Sequence, residues 1–231
     1  MKKLIAVDFD GTFLRRRHID PGYHTSIRAF REAGGKFGFV TGRGTDFFDT
    51  IARLGVTADF LLLYNGSLLA LPDGTVVKEY LIDRETFRRL EAFFAAIPDT
   101  CSYDKAGDAA FYRHYYARYD TPERALAVAT EANRLFGDRV TAFVNGEHVN
   151  IGKKGSGKAQ GVRDALAYFG WQPEEAAVFG DDFNDLDMIV SLEGWAMATA
   201  RPEVLAQAPH VCESIGEAAE QFIKENHWSK P

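Results

Sequence analysis

The sequence predicts an α/β protein in which a mostly parallel sheet is split by an inserted α+β module. Three observations carry this. Short apolar runs at Leu4–Val7, Phe37–Val40, Phe60–Leu63 and Ala176–Phe179 each end in a turn signal, the mark of strands buried on both faces. Amphipathic stretches with helical spacing alternate with those runs, as crossover connections require. Between residues 82 and 152 that alternation gives way to helices followed by hairpin signals.

The first strand, Leu4–Val7, runs into Asp8-Phe9-Asp10-Gly11-Thr12. Asp20-Pro21 signals a helix start, with Ile27 and Phe30 on one face and Gly34-Gly35 as the stop. The strand Phe37–Val40 leads into Thr41-Gly42-Arg43, and a helix through Phe47, Phe48, Ile51 and Leu54 ends at Gly55. A third strand, Phe60–Leu63, closes on Tyr64-Asn65-Gly66 and completes a βαβαβ unit. Leu68–Leu71 and Thr75–Leu81 then flank Pro72-Asp73-Gly74 as a hairpin.

From Asp83 the chain reads as a separate module. A helix carrying Phe87, Leu90, Phe93, Phe94 and Ile97 is closed by Pro98, and strand-like stretches follow near Cys101–Asp104 and Ala109–Tyr116. Thr121-Pro122-Glu123 starts a second helix, with Leu126, Val128, Ala129, Ala132 and Leu135 inward and Gly137 as its stop. Arg139–Val144 and His148–Ile151 flank Asn145-Gly146, so the module is αββαββ. Beyond Gly155, Ser156 caps a helix through Val162, Leu166 and Phe169, and the strand Ala176–Phe179 runs into Gly180-Asp181-Asp182. A short helix with Leu186 and Ile189, strands at Trp195–Ala198 and His210–Cys212, and a last helix with Ile215, Ala219, Phe222 and Ile223 complete the layer. The expected organisation is a Rossmann-like core from residues 1–81 and 153–231, with residues 82–152 inserted as an α/β cap.

Composition narrows the function. The 231 residues suffice for a large domain or a medium domain with an insertion, and 46% hydrophobic with 26% charged residues is globular rather than disordered. A net charge of -6 argues against a general nucleic-acid binder, which leaves the Arg15-Arg16-Arg17 run as a local, solvated loop feature. Cys101 and Cys212 have no metal-ligand or disulfide spacing, and only four apolar residues follow Lys2-Lys3 before Asp8, too few for a signal-peptide core. No stretch could span a bilayer, so a cytoplasmic protein with no membrane partner is expected.

Four segments sit where strands end or helices begin, and together they hold what phosphoryl transfer needs. Asp8 and Asp10, two residues apart at a strand mouth, repel each other unless a cation such as Mg²⁺ neutralises them. Asp8 is placed to attack phosphorus, and Asp10 to give a proton to the leaving oxygen and later take one from water. Thr41-Gly42 offers a hydroxyl and an unobstructed N–H at an expected helix N-terminus, a phosphate seat. Lys158, in the first turn of its helix, can neutralise the nucleophile and the transferring group. Asp181, with Asp185 behind it, completes an oxygen-rich metal shell, and Asn184 can donate to phosphate or fix a carboxylate. Taken singly, Thr41 also reads as a helix cap, Lys158 as a surface lysine and Asp-Gly as a turn.

These residues carry a resemblance. The chain resembles the haloacid dehalogenase (HAD) superfamily of phosphohydrolases, and within it the sugar-phosphatase-like branch (Cof-type, subfamily IIB) with an α/β cap. Asp8-Phe9-Asp10-Gly11-Thr12 looks like the first motif, Thr41-Gly42-Arg43 the second, Lys158 the third and Gly180-Asp181-Asp182-Phe183-Asn184-Asp185 the fourth. The resemblance spans essentially the whole chain. It implies Mg²⁺ held by Asp8, the carbonyl of Asp10 and Asp181, with Asp8 as nucleophile and Asp10 as acid and base. Two departures stand out. Thr199 occupies a position where many relatives have Asn, and a shorter cap argues for a small substrate or a more open site.

The expected activity is that of a phosphoric monoester hydrolase acting on a small phosphorylated metabolite, such as a sugar phosphate, through an aspartyl phosphate. A phosphomutase using the same Asp8, or a module that accepts phosphate on Asp8 without turning over, are the alternatives. Specificity is expected from the cap, where the stretch Phe111–Tyr116 is aromatic and Arg113 and His114 are the candidates for a polar substrate; Asn65 and Arg43 are further candidates in the core. The remaining histidines, His148 among them, are expected to be structural or exposed.

Overall fold

The structure, a computed structural model, describes residues 1–97, 102–107 and 111–228. Its larger sheet has eight strands in the order β15-β14-β13-β1-β4-β5-β6-β7. The central strands are β1 (Leu4–Val7), fully buried, beside β4 (Lys36–Val40), β5 (Phe60–Leu63) and β13 (Ala176–Gly180). All four run parallel, as do β14 (Trp195–Met197) and β15 (His210–Cys212). β6 (Leu68–Ala70) and β7 (Val76–Glu79) are the antiparallel hairpin expected around Pro72-Asp73-Gly74.

Both faces are covered. One packs against α1 (Arg28–Glu32), α2 (Phe47–Arg53) and α8 (Ile215–Glu225), the other against α5 (Lys158–Phe169) and α6 (Leu186–Ser191), with α7 (Pro202–Leu205) beyond. Apolar side chains alternate between the two clusters, Ile5 and Val7 on one face and Leu4 and Ala6 on the other, which is why β1 reads as an unbroken apolar run.

The second sheet joins β9 (Ser102–Gly107), β10 (Phe111–Arg118), β12 (His148–Lys153) and β11 (Val140–Asn145), with short β8 (Ile82–Asp83) at the end of β10. The helices α3 (Arg84–Ala95) and α4 (Pro122–Phe136) bury Phe87, Leu90, Phe94, Val128, Ala129 and Phe136 against Tyr115, Ala117, Val149 and Ile151. Asp83 accepts from the N–H of Thr86 and Thr121 from that of Arg124, so both helices start on side-chain caps.

Several local expectations need correction. Leu126 and Leu135 are exposed, because the smaller stripe Ala125-Val128-Ala129-Ala132 fits closer to the sheet and the leucines flank it. Ser156 does not cap α5; Gly157 precedes the helix, and the Ser156 hydroxyl donates to the carbonyl of Lys153. The first helix is preceded by a wide turn, Tyr23–Ile27, after Asp20 accepts from the N–H of Gly22. Asp20 is itself buried and also accepts from Ile215 and Gly216 N–H, tying the two ends of the fold together. A small hairpin of β2 (Leu14–Arg15) and β3 (His18–Ile19) was not expected; it turns through Arg16 and Arg17 at φ 48° and 68°. Arg15 bonds the carbonyl of Glu213 and the Asp20 carboxylate, so the arginine run serves that hairpin. The positions of Pro98, Cys101 and Ala109 lie outside the described residues.

Candidate active site

The site forms at the carboxyl ends of the parallel strands. Past β1 the chain keeps its alternation: Phe9 turns into the core, edge-on to Phe39 and Phe47 at 5.6 and 4.8 Å, while Asp8 and Asp10 point the other way into a cleft of about 430 Å³. The sequence Asp-Phe-Asp is therefore one anchor between two presented carboxylates.

Asp8 is buried, and its Oδ1 accepts from Lys158 Nζ at 2.6 Å. The same ammonium donates to Asp185 Oδ1 at 2.6 Å. The other oxygen of Asp185 accepts from the N–H groups of Asp181 and Asp182, so Asp185 braces the loop after β13. Asp181 Oδ1 accepts from the Thr12 hydroxyl at 2.6 Å. Its carboxylate lies against the backbone just past Asp10: a Cβ on Gly11, at φ +94°, would stand 2.2 Å from Asp181 Oδ2. Only glycine permits both that φ and that approach.

One ammonium therefore serves a cluster of three acids. Carboxylate oxygens of Asp8, Asp181 and Asp185 all lie within 4.8 Å of one another. Burial pushes Asp8 well above the usual carboxylate range, helped by the charges of Asp185 and Asp181 and opposed by Lys158. Burial likewise raises Asp181 to about 6. Burial works against the charge of Lys158 too, but Asp185 and Asp8 outweigh it and hold Lys158 protonated. The excess of negative charge on hard oxygen donors fits a divalent ion such as Mg²⁺. Because both oxygens of Asp185 are engaged, Asp8 and Asp181 are the side chains that fit as direct ligands, with Asp185 behind them.

Asp10 stands at the mouth, half-exposed, and both its oxygens are held by Arg43 through Nε and Nη2 at 2.7 Å. Arg43 in turn lies over the Phe9 ring at 5.1 Å. Thr41 and Gly42 line the cleft, yet no helix starts there: α2 begins at Phe47. The Thr41 hydroxyl accepts from Arg43 N–H, while Thr41 and Arg43 carbonyls accept from Asn65 and Tyr64, and these bonds hold the segment extended. The phosphate seat expected at a helix N-terminus is thus a loop.

Tyr64, Asn65 and Gly66 all have positive φ, at 52°, 52° and 85°. This turn sets Gly66 against the start of α5, where a Cβ would lie 2.2 Å from the Gly157 carbonyl oxygen. It also buries Asn65 in the cleft wall. Asn65 Oδ1 accepts from Asn184 Nδ2 at 3.3 Å, and its own amide NH₂ has no partner among the described residues. Asn184 lines the cleft, and among the described residues its side chain bonds Asn65 and no carboxylate. Asp182 completes the floor, paired with Arg201 at 2.6 Å.

The second sheet roofs the cleft, with residues other than those expected. Arg113 pairs with Glu79 at 2.9 Å and does not line the cleft. His114 is buried and its Nε2 bonds Asn150 Oδ1, so it stands behind the surface. The lining residues are Tyr116, Asn145, His148 and Asn150. His148 is therefore neither merely structural nor solvent-facing. The signal was present: in His148-Val149-Asn150-Ile151 polar and apolar residues alternate, and the buried set faces the helices.

Comparison with known proteins identifies the family and the fold. A family model described as haloacid dehalogenase-like hydrolase matches residues 5–115 and 111–219. A protein named HMP-PP phosphatase from Klebsiella pneumoniae (strain 342) is 25% identical over 99% of this chain and 96% of its own length. Among solved structures, a haloacid dehalogenase-like hydrolase from B. subtilis superposes with a TM-score of 0.82 at 16% identity, covering 96% of this chain and 99% of that one. A HAD subclass IIB sugar phosphatase does so at 0.79 and 18%, with the same two coverages. At those identities the structural likeness speaks to the fold.

Proposed function

The chain belongs to the haloacid dehalogenase-like hydrolase family, and on that premise we propose that it is a Mg²⁺-dependent phosphatase that cleaves small phosphate monoesters through an aspartyl phosphate on Asp8. The single observation that carries this reading is the Asp8–Lys158–Asp185 chain of 2.6 Å contacts beside Asp181, a nucleophile, a cation and a metal-suited pair of acids at the mouth of one strand.

Asp8, the carbonyl of Asp10 and Asp181 would hold the ion, which when bound supplies charge neutralisation for the acids and the phosphoryl oxygens. Asp8 attacks phosphorus, and its new P–O bond replaces the bond to the alcohol. Lys158 keeps Oδ1 of Asp8 oriented and offsets charge as it builds on the phosphoryl group. Thr41, Gly42 and Asn184 border the space for that group, and the unpaired amide of Asn65 lies in the wall beside them. Asp10 gives its proton to the departing alkoxide, then takes one from the water that attacks phosphorus, which releases inorganic phosphate and restores the Asp8 carboxylate. Since Arg43 holds both oxygens of Asp10, one of these contacts must open as the leaving-group oxygen arrives. A side chain at the cleft mouth that can exchange protons in this way supports turnover over storage of phosphate on Asp8.

The test is phosphate release from p-nitrophenyl phosphate and from a panel of phosphorylated metabolites with and without Mg²⁺. Wild-type protein should turn over repeatedly and only with the ion, and Asp8→Asn should be inactive. Wild-type rates in Asp8→Asn protein would overturn the mechanism.

A further inference from the structure

The roof of the cleft comes from one face of the second sheet. In its antiparallel register Tyr116 lies opposite Asn150, and Asn145 opposite His148; His148 and Asn150, two residues apart on β12, share that face. All four line the cleft above Asp8 and Asp10. The other face, with Tyr115, Ala117, Val149 and Ile151, is buried against α3 and α4. Roof and core thus alternate residue by residue along two strands, so the roof is fixed by the packing beneath it.

Three of the four roof groups are also oriented by a neighbour. Asn150 Oδ1 can only accept, so His114 Nε2 donates to it, and the amide NH₂ of Asn150 is left as its donor. The Tyr116 hydroxyl bonds His148 Nδ1, with the two rings stacked at 5.2 Å. Burial and the Arg118 charge lower the pKa of His148, which keeps the ring neutral. The Tyr116 hydroxyl and His148 Nδ1 share one proton between them, which leaves the pair one further donor and one further acceptor for a ligand. Arg118, the nearby cation, is bound to Glu147 at 3.0 Å.

We propose that the Tyr116–His148 pair and Asn150 are specificity-determining residues that read an uncharged, hydrogen-bonding leaving group and reject one carrying a second anion. The roof offers neutral donors and acceptors. Below it, the floor carries Asp10 and Asp182, whose partners Arg43 and Arg201 are already engaged. A carboxylate or second phosphate on the leaving group would have to compete with Asp10 and Asp182 for Arg43 and Arg201, and a hydroxyl would not. His114 is a positioning residue for Asn150. This inference rests on the phosphatase reading above.

Glycerol 3-phosphate and 3-phosphoglycerate differ only in whether the terminal carbon is a hydroxymethyl group or a carboxylate, so the ratio of their kcat/KM values isolates the charge. Wild-type protein should prefer glycerol phosphate by about ten-fold or more, and His148→Lys should shrink that ratio by about ten-fold, whereas His148→Gln should keep it. Asn150→Lys provides the same reversal from a second position should His148→Lys fail to fold. A wild-type protein that hydrolyses p-nitrophenyl phosphate yet handles the two esters alike, or lysine variants with the wild-type ratio, overturns this inference alone. No turnover of p-nitrophenyl phosphate overturns the phosphatase reading and this inference with it.

Discussion

Replacing Lys158 by Met keeps the unbranched stem of the side chain as far as Cε and removes the only charge that links Asp8 to Asp185 among the described residues. Each of its two contacts is 2.6 Å, and at the effective screening of a protein site that distance corresponds to about 6 kcal/mol of gross attraction per contact. Most of this offsets the cost of burying three charged groups. What remains when one partner of a buried pair is removed is about 3–5 kcal/mol. For a chain of this size that is a fall of roughly 6–20 °C in Tm. Asp8 and Asp181 both have folded pKa values above their unfolded ones, so each binds a proton more readily in the native state. Stability from that source is lost as pH rises, with the penalty from Asp181 fully present above about 6. The deficit of Lys158→Met should therefore widen between pH 5 and pH 7.5 in EDTA, and narrow when Mg²⁺ supplies the missing positive charge. Thermal unfolding followed by circular dichroism at both pH values reads it, and turnover should fall by about 10²-fold or more. A Tm within about 2 °C of wild type in EDTA at pH 7.5 would refute the view that Lys158 is the internal counter-ion of this cluster.

Other perturbations separate fold from site. Gly11→Ala forces a Cβ against the Asp181 carboxylate at φ +94°, and Mg²⁺ affinity by calorimetry should drop by about ten-fold or more; unchanged affinity would mean Asp181 does not need that approach. Because the Asp181 carboxyl is pushed up to about 6, it is protonated below that pH, and Mg²⁺ binding should strengthen as pH rises through that range; a flat profile from pH 5 to 7.5 counts against Asp181 as a ligand. Asp83→Ala removes the cap of α3, which should cost about 1 kcal/mol and lower Tm by a few degrees while turnover of p-nitrophenyl phosphate stays at the wild-type level; unchanged Tm would show the cap to be dispensable.

The core strands and the acidic cluster with its lysine were legible because their signals are local. An apolar run followed by acids says that a strand buried on both faces ends at a polar site, and Asp8, Lys158, Asp181 and Asp185 indeed converge. What stayed hidden depends on distant partners. The inward face of α4 is set by how closely alanines fit the sheet, which left Leu126 and Leu135 outside. Thr41 and Arg43 are held extended by the 64–65 turn, so α2 starts at Phe47, where its apolar pattern begins, and not at Thr41-Gly42. In the roof, composition drew attention to Arg113 and His114, whereas register decided the outcome: the first is turned to Glu79 and the second lies beneath Asn150. Tyr116, His148 and Asn150 reach the cleft because two strands pair in one register and not another.

The nucleophile is the claim on which the rest depends. Asp10→Asn protein retains Asp8, Lys158 and Asp181 but lacks the group assigned to activate water, so acid quenching during turnover with Mg²⁺ and p-nitrophenyl phosphate should trap a phosphoryl adduct. Peptide mapping by mass spectrometry should place it on Asp8 and find none in the Asp8→Asn protein. An adduct on another residue, or steady hydrolysis by wild-type protein with no adduct in either quench, would contradict covalent catalysis by Asp8.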